Sequence, residues 1–243
     1  MDIVKKHLTN GQYLTQVYEK FSQFLHHTVG IDAMGAWRWW NSTPDRVGTP
    51  YIIDRDGVIV ECFDPSMWAY HLGVKGDDNW HEKHSINYEL VSAGALQYVD
   101  KEFRFYPLWP NKLRYVTIPE EEVYTFDKPW KGFRHWHKYT DDQIDALIWI
   151  MGKNTLDFPT LKVDNDINEI FEFKPEVLTD HTSGIWTHNT VREDKSDPFP
   201  YPPLIKALKG LQKELGGFKE AKSVGTVDVK PTKTKTVTKK SSK

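Results

Sequence analysis

A single cysteine, Cys62, leaves no intramolecular disulfide to be made, so the chain needs no oxidising compartment to fold. Cys62 lies in Val58-Ile59-Val60-Glu61-Cys62-Phe63, a run that reads as a strand. A small buried hydrophobe is expected there rather than a nucleophile. No apolar run approaches the ~20 residues that a membrane-spanning helix requires. The opening residues, Met1-Asp2-Ile3-Val4-Lys5-Lys6, lack the apolar stretch of a secretory signal. The expectation is therefore synthesis and folding in the cytoplasm, with another factor releasing the protein if its substrate lies outside. Internal repeats, heptads and phosphate-cradling glycine loops are also missing. Solenoids, coiled coils and P-loop nucleotide chemistry are thereby excluded.

What is present in quantity is aromatic. Ten Trp, eleven Tyr and twelve Phe stand among 243 residues, in a composition otherwise ordinary for a globular protein at 39% hydrophobic and 27% charged. Such a load builds either a core of large rings or a cleft that stacks on sugars and peptide side chains. The net charge of −2 is unevenly spread. From Phe218 onward eight Lys stand against two acids, so this stretch carries +6 and the remainder −8. That length and charge layout predicts an N-terminal arm over 1–20, one domain over 21–217, and a disordered Lys/Thr/Ser-rich tail over 218–243. The tail's charge could grip anionic polymers, or serve solubility alone.

Local signals then place the elements. Lys20 to Val29 reads as a strand. Side chains alternate along a strand, so Phe24, His26 and Thr28 share one face while Leu25 and His27 share the other. The adjacent histidines cannot both enter one site. Gly35-Ala36-Trp37-Arg38-Trp39-Trp40-Asn41-Ser42-Thr43-Pro44 reads as a loop with aromatic anchors, forming either a small core or a wall of a cleft. Tyr51-Ile52-Ile53 and Val58 to Phe63, joined through Asp54-Arg55-Asp56-Gly57, predict a hairpin. Ser85 to Val91 alternates again, with Ile86, Tyr88 and Leu90 on one face and Asn87 and Glu89 on the other. Lys101 to Tyr139 reads as short strands and loops. Thr140 and Gln143 make a capping-box pattern at the start of a helix whose stripe is Ile144, Leu147, Ile148 and Met151. A short helix is expected near Asp166 to Phe171. Another is expected from Leu204 to Leu215, with Pro202-Pro203 before it and Gly216-Gly217 after.

Chemistry-bearing residues concentrate near the end. Thr187-His188-Asn189 is followed by Lys195-Ser196-Asp197-Pro198. In an extended segment Lys195 and Asp197 point the same way, and Pro198 restricts the geometry of Asp197. An imidazole and a carboxylate are two of the three protein ligands that a catalytic zinc commonly uses, and Phe24-Leu25-His26-His27-Thr28 is the natural donor of the third. Glu89 is a carboxylate in mid-strand. Burying an unpaired charge is costly, so it either faces solvent or faces a metal site. His135-Trp136-His137 is a competing metal site, because alternate histidines on a strand can chelate.

Four segments, in order, resemble the zinc-dependent N-acetylmuramoyl-L-alanine amidases, the group that includes phage endolysins and peptidoglycan recognition proteins. They are Phe24-Leu25-His26-His27-Thr28-Val29-Gly30; Gly48-Thr49-Pro50-Tyr51-Ile52-Ile53-Asp54-Arg55-Asp56-Gly57; Trp68-Ala69-Tyr70-His71-Leu72-Gly73 with Ser85-Ile86-Asn87-Tyr88-Glu89-Leu90-Val91; and Trp186-Thr187-His188 with Lys195-Ser196-Asp197-Pro198. The resemblance spans roughly Phe21 to Leu215. It implies an α/β (α+β) fold, a mixed sheet flanked by helices with the site at one sheet edge. It implies Zn2+ held by His26, His188 and Asp197, and Glu89 as catalytic acid/base. His71 resembles a cleft residue that touches substrate, and Trp68 and Trp39 are expected beside it. Thr49 stands where some phage relatives carry a catalytic tyrosine, which shifts weight onto Glu89.

Two neutral ligands and one carboxylate leave a bound zinc with about one positive charge, enough to lower the pKa of water toward neutrality. Lys195 would stabilise the oxyanion. The residues by themselves support metal-assisted amide hydrolysis; the bond between N-acetylmuramic acid and L-alanine is what the resemblance adds. The expected partner is peptidoglycan or a muropeptide, with no membrane and no specific nucleic acid, and the chain is expected to act as a monomer. Competing readings are a recognition module that binds without cutting, a cytoplasmic muropeptide-recycling amidase, and an unrelated hydrolase built on His135 and His137.

Overall fold

A computed structural model describes residues 1–74, 78–107 and 113–223. The arm supplies β1 (Ile3–Lys5), and Leu8 further along it is buried. Next come β2 (Ser22–His27) and α1 (Ala33–Trp40), then the hairpin strands β3 (Tyr51–Ile53) and β4 (Ile59–Glu61). A short α2 (Trp80–His84) leads directly into β5 (Ser85–Leu90). Five further strands follow: β6 (Ala95–Val99), β7 (Glu102–Phe105), β8 (Val116–Ile118), β9 (Val123–Trp130) and β10 (Phe133–His137). The chain ends with α3 (Asp141–Asp157), α4 (Glu176–Thr179), β11 (Ile185–Thr187), α5 (His188–Val191) and α6 (Pro202–Ser223).

The strands form two sheets. The first is mixed, in the order β1-β4-β3-β5-β2-β11; β3, β5, β2 and β11 run parallel and β4 opposes β3. The arm is thus not merely packed on the domain: β1 is the sheet's edge strand, parallel to β4. One face of this sheet meets α3 and α6. Leu25, Ile53, Tyr88 and Leu90 join Ile144, Leu147, Ile150 and Met151 there, together with Leu204 and Leu208. The opposite face carries α1, where Trp40, Ile52, Val60, Cys62 and Phe63 form a second cluster. Cys62, one residue beyond β4, is buried as expected of a small hydrophobe.

The capping box at α3 is formed on both sides. Thr140 Oγ accepts from Gln143 N at 3.1 Å and Gln143 Oε1 accepts from Thr140 N at 3.0 Å. Gln143 Nε2 also donates to the carbonyls of Ile53 and Val91, tying the helix to the sheet. α6 begins at Pro202, two residues before the expected Leu204, and runs through Gly216 and Gly217 to Ser223. Glycine costs a helix only about 1 kcal/mol per residue, which neighbouring turns can offset. Residues 218–223 therefore continue this helix, and the rest of the expected tail lies outside the described residues.

Three elements differ from expectation. Residues 33–40 are a helix rather than a loop, because Asp32 caps it by accepting from Gly35 N at 2.6 Å. The segment 166–171 forms turns, with Ile167 and Ile170 buried, and the short helix lies further on at α4. Strands β6 to β10 are more regular than the expected short strands and loops. They make a second, antiparallel sheet in the order β8-β7-β6-β10-β9. Its tight turns use paired positive φ values, at Asp100 and Lys101 and at Lys131 and Gly132, which is the backbone twist that two-residue hairpin loops require.

Candidate metal centre

The first sheet brings the site together at the carboxyl ends of three adjacent parallel strands. In the pairing of β2 with β5, His26 lies opposite Glu89, and Ile52 of β3 continues the same row. Partners in register share a face, so His26 and Glu89 both project to the α1 side. His188 comes immediately after β11, as the first residue of α5, where Thr187 caps the helix with Thr190. A turn closed by Lys195 N to Arg192 O then returns the chain to present Asp197. The site therefore spans the edge strand β11 and the two strands beside it, rather than one edge. The crevice beyond the carboxyl ends of parallel strands is the usual place for ligands in such sheets.

Three donor atoms converge. His26 Nδ1 lies 3.2 Å from His188 Nδ1 and 3.3 Å from Asp197 Oδ2, and His188 Nδ1 lies 3.0 Å from Asp197 Oδ2. Among the described residues this is the only group of three or more His, Cys, Asp or Glu side chains so arranged. Each imidazole is held by its other nitrogen. His188 Nε2 bonds the carbonyl oxygen of Leu72 at 2.9 Å, and His26 Nε2 bonds His71 Nδ1 at 3.0 Å. A carbonyl only accepts, so His188 carries its proton on Nε2 and turns a lone pair on Nδ1 toward the centre. Two neutral imidazoles and a carboxylate fit a divalent ion.

Burial reinforces the neutral state of His26. It lowers the His26 pKa to about 4, with Asp197 opposing that shift and His188 adding to it, so the imidazole is neutral near pH 7. Burial alone would raise the Asp197 carboxyl, but the neighbouring His188 and His26 hold it well below the ordinary carboxylate range. Glu89 behaves oppositely. Burial and the nearby charge of Asp197 push its pKa well above the usual range, while Lys195 pulls it back. Glu89 Oε2 is buried with no hydrogen-bond partner among the described residues. An orphaned carboxylate oxygen is costly in a core. Here it belongs to the residue facing the triad across one strand pairing.

Lys195 lies close enough to influence His26, His27 and Glu89 electrostatically. His27 turns to the other face, where Tyr139 Oη meets its Nδ1 at 3.0 Å. Its Nε2 packs against Gly94, a residue at φ +72° whose added Cβ would approach to 2.8 Å. Only glycine suits that position. Thr49 is buried and donates to the Tyr51 carbonyl, a structural bond inside the hairpin.

The three expected substrate contacts fare differently. The His71 side chain is only 2% exposed and lies behind His26, so it faces the ligand rather than a cleft. Trp68 is 5% exposed. Its ring packs edge-on against Tyr18 and Tyr70 beneath the Lys83 ammonium, so no face is left open to a sugar. Both are corrected from cleft residues to interior ones. Trp39 is 56% exposed on α1, and no described contact links it to the triad. The competing pair also falls away. His135 Nδ1 is engaged by Thr125, and His137 bonds Ala93 N through Nδ1 and Glu122 through Nε2.

Glu82 and Ser85 escaped the sequence reading. The dense titratable run Trp80-His81-Glu82-Lys83-His84, just before the alternating strand, was the available signal.

A search of curated proteins finds no match. Among solved structures, PlyL is 12% identical with a TM-score of 0.47, covering 86% of this chain and 97% of that one. A selenomethionine derivative of AmpD is 15% identical with a TM-score of 0.47, covering 86% and 94%. The amidase LysC from Clostridium intestinale URNW is 13% identical with a TM-score of 0.42, covering 89% and 98%. The decisive match is at the level of sequence. The family model described as N-acetylmuramoyl-L-alanine amidase matches residues 23–200, which contain β5, β11, all of β2 but Ser22, and every member of the triad. The chain belongs to the N-acetylmuramoyl-L-alanine amidase family and is a peptidoglycan amide hydrolase.

Proposed function

We propose that the enzyme is zinc-dependent and cleaves the amide joining the lactyl group of N-acetylmuramic acid to L-alanine. His26, His188 and Asp197 hold the ion, Glu89 is the acid/base and Lys195 the oxyanion partner. The observation that carries this reading is the inward convergence of two Nδ1 atoms and one carboxylate oxygen within 3.0–3.3 Å, with both imidazoles tied back through Nε2. Two imidazoles and one carboxylate are a ligand set of catalytic zinc, leaving a fourth position open.

When bound, zinc supplies Lewis acidity that polarises the scissile carbonyl and eases deprotonation of water. Glu89 takes a proton from the attacking water and delivers it to the departing alanine nitrogen. Its raised pKa suits both halves of that transfer, because a carboxylate of ordinary acidity would keep little affinity for the proton near pH 7. The Lys195 ammonium offsets the negative charge that develops on the carbonyl oxygen.

The reading extends to intact wall peptidoglycan as substrate, cut by a monomer after release from the cell that makes it. The catalytic unit is 21–217, with 1–20 as an arm and 218–243 as a basic appendage. The aromatic load and the lysine-rich C-terminal stretch support a wall-directed lysin.

The test is to measure bound metal in the purified protein, then add the protein to purified peptidoglycan with and without a chelator. About one zinc per chain and chelator-sensitive release of alanine amino termini, without new reducing sugar ends, is the expected result. Binding without release would make the protein a recognition module. Cleavage confined to soluble muropeptides would make it a recycling enzyme.

A further inference from the structure

Both histidines of the triad are held from behind by one short segment, His71-Leu72-Gly73. The His71 ring bonds His26 Nε2 at 3.0 Å, and the Leu72 carbonyl bonds His188 Nε2 at 2.9 Å. This segment is fixed in turn by the carboxylate of Glu82. Glu82 Oε2 accepts from His71 N at 2.8 Å, and Oε1 accepts from Leu72 N at 3.1 Å and from Gly73 N at 3.3 Å. The same Oε2 lies 3.2 Å from His71 Nε2, and Ser85 Oγ lies 3.3 Å from that nitrogen. Both side chains are 2% exposed.

A buried carboxylate without donors is strongly unfavourable, whereas one receiving three backbone N–H groups is well solvated by the protein. The proton positions follow by elimination. Ser85 Oγ gives its own proton to the His81 carbonyl and Asn87 Oδ1 and so accepts from His71 Nε2 beside the Glu82 carboxylate, and His71 carries its proton there. His71 Nδ1 is then a bare acceptor, which requires His26 to carry its proton on Nε2 and leaves His26 Nδ1 free. Glu82 therefore governs one ligand through the His71 ring and the other through the Leu72 carbonyl. Arg192 Nη1 also donates to that carbonyl, at 3.3 Å.

We propose that His71 and Glu82 are positioning residues that fix the tautomer and orientation of both histidine ligands and thereby set metal affinity. The proposal rests on His26, His188 and Asp197 as the ligands. Outer groups of this type alter metal affinity by roughly 10–100-fold when removed.

The experiment compares zinc affinity, measured by chelator competition, for the full chain and for His71→Ala, His71→Gln and Glu82→Gln. Ring nitrogen NMR shifts of the metal-free proteins report the tautomers, and circular dichroism checks the fold. His71→Ala should weaken zinc binding by about 10–100-fold. It should also mix the His26 tautomers in a protein that remains folded. His71→Gln keeps an acceptor oxygen for His26 and should recover most of the affinity. Glu82→Gln has one acceptor oxygen for the three backbone donors of 71–73 and should weaken binding and disturb both histidine signals. Unchanged zinc affinity and tautomers in folded His71→Ala would overturn the proposal while leaving the triad intact. A parent protein that binds no zinc would overturn the triad itself. If Glu82→Gln fails to fold, His71→Ala and His71→Gln still decide.

Discussion

Two pairs of histidines, one at each sheet, meet opposite fates. At the first sheet, His26 and His188 each bind protein through Nε2 and leave Nδ1 facing the other and Asp197. At the second sheet, His135 and His137 are alternate residues of β10, the pattern that chelates most readily on paper. There, however, both nitrogens of His137 are spent on Ala93 and Glu122, while His135 bonds Thr125 beside the rings of Tyr98 and Phe103. Spacing along a strand decides only whether two imidazoles share a face. A ligand needs one nitrogen anchored by an outer partner and the other left without a protein donor. The first sheet supplies that arrangement from β2, α5 and two loops, and the second does not.

The sharpest way to break this contrast is to exchange the consequences of losing a ring. His188→Ala should drop bound metal from about one ion per chain to near none and abolish amide cleavage. His135→Ala should leave both unchanged. Metal analysis beside release of alanine amino termini measures the pair. Equal metal loss in the two variants would return the second sheet to contention.

The next two effects separate holding the metal from using it. Glu89→Gln removes the proton-accepting oxygen while keeping shape, so metal content should persist and turnover should fall ~10²–10⁴-fold. Lys195→Ala should lower turnover by about 10²–10³-fold, again with metal retained, if its charge offsets the oxyanion. Single-turnover rates and metal stoichiometry on the same preparations check both. Full activity in Glu89→Gln would remove that carboxyl from the proton transfers.

Much of this centre is legible in the sequence, because its signals are local. Alternation along 22–27 assigns His26 and His27 to opposite faces, and the structure has one in the triad and the other against Tyr139. Thr140 and Gln143 announce the start of α3 through side chains only three residues apart. What stayed hidden depends on distant packing. Nothing near His71 shows whether it stands before or behind His26; that is decided by Glu82, eleven residues later, which draws the 71–73 backbone inward. The ring of Trp68 is closed off by Tyr18 and Tyr70, and the first of these arrives from the arm. Residues 33–40 hold three tryptophans and a glycine, poor helix formers, and the helix is settled by the Asp32 cap and by Trp40 packing on Ile52 and Val60. The second sheet reads only as short strands and loops because its hairpin turns use Asp100-Lys101 and Lys131-Gly132 rather than the commonest turn pairs.

The smallest effect tests whether the second-sheet histidine is structural in the thermodynamic sense. Burial, with Arg55 nearby, lowers the His137 pKa from 6.5 to about 4, against the opposing pull of Glu122. Between those values the unfolded chain binds a proton that the folded chain refuses. The contribution to stability is therefore complete above about pH 6.5 and is lost as pH falls toward 4. The change from pH 7 to pH 5 should amount to about 2 kcal/mol from this one ring. His137→Gln removes the titration while keeping a side chain able to bond Glu122, so its urea midpoint should fall less steeply over that interval than that of the parent. Measuring both metal-free proteins at pH 7 and pH 5 isolates the difference, since the other buried histidines are common to them. Parallel slopes would mean that His137 takes up its proton without leaving the fold. The second sheet would then tolerate a charged imidazole beside Glu122, and the distinction between the two histidine pairs would rest on their hydrogen-bond partners alone.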